Sequence, residues 1–100
     1  MIDLSPDADG RVALTGELTV DEVPAIYKAS LGWKKYGLPR AIDLSRLELT
    51  DSSAVALLLE WAAWARRRDR RIDFVDPPEG LRTIAGLSSV GPLLGWEEDQ

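Results

Sequence analysis

The sequence predicts a single α/β domain spanning residues 1–100, with a small mixed β-sheet and α-helices packed on it. Three observations carry this expectation. Segments that alternate apolar and polar residues take turns with segments whose apolar residues recur at i, i+3, i+4 and i+7. Glycine and proline, from Pro6 and Gly10 through Pro77-Pro78 to Gly95, divide the chain into pieces of strand or helix length. A chain of 100 residues that is 45% hydrophobic fits one core of ordinary size.

Residues 1–4 read as a short partner strand for Arg11-Val12-Ala13-Leu14-Thr15, the hairpin turning at Pro6 to Gly10. The second of these alternates cleanly and is expected to end at Gly16. Val20, Val23, Ile26, Tyr27, Ser30 and Leu31 share one helical face. Thr19 and Glu22 have capping-box spacing, but that start would place Pro24 where it removes an interior hydrogen bond. Asp21 as the cap keeps Pro24 within the first turn and is preferred. Residues 40–44 form the next strand, followed by a short polar loop and a helix over residues 52–68. Arginines close that helix and suit its C-terminal dipole. Residues 72–75 are another strand. Asp76 then caps a helix with Pro77 at its first position, Leu81, Ile84 and Ala85 facing inward, and Gly86 at its end. The stretch from Leu87 to Trp96 is open between a short strand and a turn before a last helical turn, and Glu97 to Gln100 are expected to fray.

Composition removes several classes of function. The chain has no Cys and no His, so disulfides, thiol nucleophiles, imidazole bases, zinc fingers and haem ligation are excluded. A net charge of −5 opposes nucleic-acid binding, which needs a cationic surface. The N-terminus lacks the basic and apolar regions of a signal peptide, and the longest apolar run, Ala54 to Leu59, falls far short of the roughly 20 residues that span a bilayer. A cytoplasmic protein without direct membrane insertion is therefore expected. Asp43, Glu48, Asp51, Asp73 and Asp76 have no base, metal spacing or phosphate loop beside them, and Ser52 has no activating histidine or lysine. No catalytic residue, metal site or cofactor is expected.

The most informative stretch passes from a strand into a helix whose start holds Thr50, Asp51, Ser52 and Ser53. Free backbone N–H groups there favour an anion, and a hydroxyl at that place is suited to phosphorylation, with Ser52 the candidate. The structural alternative is that Asp51 or Ser52 only caps the helix. The helix itself carries two apolar stripes, Ala54, Val55, Leu58, Leu59, Ala62 and Ala65 in one and Leu57, Trp61 and Trp64 in the other. Together they span roughly 220°, more than a helix lying on one sheet face needs. Either neighbouring helices or a partner must cover the second stripe, and one tryptophan is expected in the core with the other at an interface. Self-association through the Trp61 and Trp64 stripe is a further reading. The run from Arg66 to Arg71 reads as a solvated helix end, or as a contact for an acidic partner surface.

These residues resemble the STAS family. The run Gly16-Glu17-Leu18-Thr19 before a helix, then Ile42-Asp43-Leu44-Ser45, then the Asp51-Ser52-Ser53 helix start, follow that family's order over nearly the whole chain. The resemblance implies the STAS fold and a non-enzymatic binding role. A narrower likeness, to the MlaB branch, rests on residues 18–26, residues 51–61 and the basic helix end at Arg66 to Arg68. It implies a subunit peripheral to the inner membrane through its partner, the cytoplasmic ATPase of a Mla-type phospholipid-transport ABC complex, and through that ATPase the permease. The contact surface it implies is Thr50, Asp51, Ser52 and Ser53 with Ala56, Leu57, Glu60 and Trp61. The chain departs from the pattern in holding Ala54 where many relatives have glycine. The anti-sigma factor antagonists of the same family imply an alternative, a switch whose contact with an anti-sigma factor kinase ends when Ser52 is phosphorylated.

Overall fold

The computed structural model describes residues 3–96. Along it lie β1 (Arg11–Leu18), α1 (Val23–Ser30), α2 (Trp33–Tyr36), β2 (Ala41–Thr50), α3 (Ser52–Arg66), β3 (Asp73–Val75), α4 (Glu79–Leu87) and a 3-10 turn at Gly91–Leu94. The three strands form a sheet in the order β1-β2-β3, and both pairings are parallel. Parallel neighbours need crossover connections. The segment holding α1 and α2 joins β1 to β2, and α3 joins β2 to β3. The antiparallel member of the expected mixed sheet was residues 1–4. Asp3 and Leu4 are not in a strand, and Met1 and Ile2 lie outside the described residues. Leu4 is nevertheless buried, and its carbonyl accepts a 2.8 Å hydrogen bond from Trp33 Nε1. The turn that follows is present: Asp7 Oδ1 accepts from the amides of Asp9 and Arg11 at 2.8 and 2.9 Å, and the Gly10 amide donates to the Asp7 carbonyl.

β1 runs past its expected end at Gly16. That glycine sits within the strand at φ +77°, and the register with β2 shifts between Ala13 and Thr15 and again between Gly16 and Glu17. Glycine admits this irregularity without Cβ strain, and the pairing resumes to Leu18 opposite Thr50. Because β1 continues, β2 does too, and residues 45–50, read from sequence as a polar loop, are strand. Val12, Leu14 and Leu18 of β1 are buried while Arg11, Ala13, Thr15 and Glu17 are exposed, so the apolar side chains line one face of the sheet.

Thr19 and Glu22, not Asp21, organise the entry to α1. Glu22 Oε1 accepts from the Thr19 amide at 3.3 Å and from its hydroxyl at 2.5 Å. The conflict with Pro24 disappears because the helix begins at Val23, leaving proline in the first turn. Val20 and Leu31 fall outside the helix and are exposed rather than on its inner face. The single turn of α2 was not foreseen, since four residues between Gly32 and Gly37 carry no periodicity, yet it buries Trp33. α4 starts at Glu79 with Pro78 as its cap residue. Asp76 takes φ +53° before it and caps nothing. Leu87 to Trp96 contains no strand. The chain turns through Ser89 into Gly91–Leu94, and Trp96 Nε1 donates to the Phe74 carbonyl at 2.9 Å. Glu97 to Gln100, where fraying was expected, lie outside the described residues.

α3 is the centre of the core. Ala54, Val55, Leu57, Leu58, Trp61, Trp64 and Ala65 are all buried, which is why its apolar arc is so wide. The second stripe is covered from within the chain. The Trp61 ring lies 4.8 Å from that of Trp33 on α2, and Trp64 lies 5.6 Å from Tyr27 on α1. Both indoles are also satisfied: Trp61 Nε1 donates to Ser30 Oγ at 2.9 Å, and Trp64 Nε1 to Glu60 Oε2 at 2.8 Å. Trp61 is 0% and Trp64 3% exposed, so neither is an interface residue of the free chain. Among the described residues no helix is long and apolar enough to cross a membrane.

Candidate functional site

The parallel order of β1 and β2 places Leu18 beside Thr50, and both chains then leave the sheet at the same end. There the first turn of α3 meets the segment that leads into α1. Asp51, in extended backbone, is the N-cap of α3. Its Oδ1 accepts from the Ser53 amide at 2.9 Å and also from the Ser53 hydroxyl, while Oδ2 accepts from the Val20 amide at 3.0 Å. One carboxylate thus caps a helix and ties it to a loop 31 residues away in sequence. The Ser53 hydroxyl and the Val20 amide, in that order, hold the Asp51 carboxyl below its usual value of 3.8.

The two serines are not equivalent. Ser53 is half-buried and committed to Asp51, whereas Ser52 is exposed and its hydroxyl bonds to none of the described residues. Thr50 and Asp51 are half-buried and Ala56 is exposed one turn along α3. Glu60 is half-buried and accepts from Trp64 Nε1. Leu57 and Trp61, by contrast, belong to the core and are withdrawn from the expected surface. Trp61 packs against Trp33 of α2 and bonds to Ser30 of α1, so it is covered from within the chain. Ala54 is likewise fully buried, so its methyl packs inward and meets no approaching partner.

Two residues that sequence reasoning missed complete the surface. Leu49 is 53% exposed two positions before the cap, and Val20, 64% exposed, is held there by its amide's bond to Asp51. Leu49 could have been suspected, since Leu47 and Leu49 both stand on a strand where the alternation with β1 slips. The Val20 contact spans two elements and leaves no local signal. Glu17, Asp21, Glu22, Glu48 and Asp51 lie on the segments at this end, and no Lys or Arg occurs in residues 17–23 or 47–55. The result is an acidic surface with two exposed aliphatic side chains and one uncommitted hydroxyl at a helix N-terminus. Among the described residues no three acidic side chains converge as a metal ion would require.

The model of the family described as "Mlab, STAS domain" matches residues 3–95. The chain belongs to the STAS family. Among solved structures it is similar to the anti-sigma factor antagonist SpoIIAA in its unphosphorylated form. The two share 28% sequence identity with a TM-score of 0.66, over 83% of this chain and 74% of that one. A comparison with curated proteins gives no match. The fold of this STAS domain, a small parallel sheet with packed helices, is that of SpoIIAA.

Proposed function

We propose that this STAS domain is a non-enzymatic subunit that binds the cytoplasmic ATPase of a Mla-type phospholipid-transport ABC complex. The family description, Mlab, is the observation that favours this partner. The docking surface in this reading is the start of α3: Thr50, Asp51, Ser52, Ser53 and Ala56, with Val20 and Leu49 beside them and Glu60 at the rim. Exposed aliphatic side chains around a rigid polar helix start suit a protein contact, because their burial gives affinity while the hydroxyl and carboxylate fix orientation. The domain alters the ATPase only by binding one arrangement of it more tightly than another.

Affinity capture of the tagged domain from its own cells, with mass spectrometry of what co-purifies, tests this reading. An ABC ATPase and its permease in near-equal amount are the expected result. Ser52→Arg, a bulky charge at the desolvated centre, should weaken ATPase binding by on the order of 2 kcal/mol or more. Unchanged affinity for Ser52→Arg and Ser52→Glu would remove the helix start from the interface.

The likeness to SpoIIAA favours a second reading, an anti-sigma factor antagonist switched at Ser52. Phosphate on Ser52 would add about −1.5 to −2 charges beside Asp51, on an end of the molecule that is already acidic. Recovery of an anti-sigma factor kinase, with an intact-mass gain of one phosphate on Ser52, would select this alternative.

A further inference from the structure

The opposite end of α3 carries the reverse charge. Residues 23–38 contain Lys28, Lys34 and Lys35 and no acidic residue, and residues 61–68 contain Arg66, Arg67 and Arg68 and none either. The fold brings these two segments together. Arg68 Nη2 donates to the Lys34 carbonyl at 2.6 Å, and Lys34 Nζ stands 4.4 Å from the Trp64 ring centroid. All six cations are exposed. Six positive charges thus gather here on a chain of net −5, while residues 17–23 and 47–55 at the start of α3 hold acidic residues and no Lys or Arg. Among these cations stand Tyr36, 82% exposed, and Leu31, 41% exposed.

We propose that this basic end is a contact surface for anionic phospholipid headgroups, which the domain touches without inserting. Two observations select a bilayer over other polyanions. Tyr36 and Leu31 provide an aromatic ring and an aliphatic chain at the level of the cations, the combination that settles at a headgroup boundary. The charge difference between the two ends of α3 turns the acidic Ser52 end, which has no Lys or Arg in residues 17–23 or 47–55, away from an anionic surface. A nucleic acid or an acidic protein that wrapped the domain would meet that acidic end and be repelled. The basic and Ser52 ends are separated by the length of α3, about 22 Å for its 15 residues, so a lipid contact does not compete with the partner contact proposed above.

Flotation of the purified full chain with phosphatidylglycerol–phosphatidylethanolamine vesicles, against pure phosphatidylcholine vesicles, tests the assignment at low and high salt. Binding to the anionic vesicles alone, lost at high salt, is expected. Lys28→Gln, Lys35→Gln and Arg67→Gln combined should reduce partitioning on the order of a hundredfold, about fivefold per cation. Lys28→Arg with Lys35→Arg should retain it, and Tyr36→Ala should lower it by a smaller factor. These side chains avoid the Trp64 and Lys34 contacts, so all variants should keep the wild-type circular dichroism. Equal binding to neutral and anionic vesicles, binding to neither, or full binding by the triple variant would overturn the proposal. Salt-sensitive retention of a polyglutamate peptide without vesicle binding would overturn it in favour of an acidic protein partner.

Discussion

Asp51 divides the labour between two adjacent serines. Its carboxylate binds the amide and hydroxyl of Ser53 and leaves the Ser52 hydroxyl in solvent. Ser53→Ala removes a half-buried hydrogen bond to a charged acceptor and should cost about 0.5–1.5 kcal/mol in urea denaturation. Ser52→Ala removes no internal bond and should stay within about 0.5 kcal/mol of wild type. If the two variants lose stability equally, the geometry at the helix start is wrong. The depressed Asp51 carboxyl also gives a pH dependence with a definite sign. A group whose folded value lies below its unfolded one stabilises the fold above the unfolded value near 3.8 and loses that contribution as pH falls through the folded value. Asp51→Asn should therefore be less stable than wild type near neutrality. The gap between their urea midpoints should close below pH 3.8, and a gap that persists or widens there would contradict the Asp51 bonds.

Elements that announce themselves by local pattern were legible, and those defined by a partner were not. The alternation from Arg11 to Thr15 and the apolar arc of α3 were plain in the sequence. The continuation of β1 through Gly16 was not, because a glycine that ends one strand and a glycine that bulges another look alike until the neighbouring strand is known. Extension of β1 in turn explains why residues 45–50 are strand rather than loop. Gly16 has open space around its missing Cβ, so the only penalty for a side chain there is its φ of +77°. Gly16→Ala should then cost about 1–2 kcal/mol, the left-handed backbone penalty, measured by urea denaturation. A neutral Gly16→Ala would mean the bulge relaxes. At the candidate site, Asp51, Ser52 and Ser53 were visible as a helix start, and the Val20 contact was not, because it depends on where α1 begins. Leu57 and Trp61 were misplaced for a related reason. The width of an apolar arc shows that something covers a helix, but α2, whose Trp33 does the covering, is too short to signal itself.

At the scale of the molecule, four tryptophans report on one core from different sides. Trp33 of α2 packs at a tilt against Trp61 of α3, Trp64 meets Tyr27 of α1, and Trp96 of the C-terminal segment bonds to the carbonyl of Phe74 on β3. All four are buried, and together they link α1, α2, α3, β3 and the C-terminal segment. A molecule built this way should lose its packing and its backbone structure together. Near-ultraviolet dichroism, which sees the ring pairs, and far-ultraviolet dichroism, which sees helix, should give coincident urea transitions with a slope of about 1–3 kcal/mol/M. Separate midpoints would show that α1 and α2 detach from the α3 core before the sheet unfolds. Coincidence has a direct use for the functional question. Ser52 makes no internal bond, so Ser52→Arg should keep the wild-type near-ultraviolet spectrum and urea midpoint while losing its partner. A binding loss in a chain with that intact signature belongs to the contact surface, whereas the same loss accompanied by an altered aromatic signal belongs to the core.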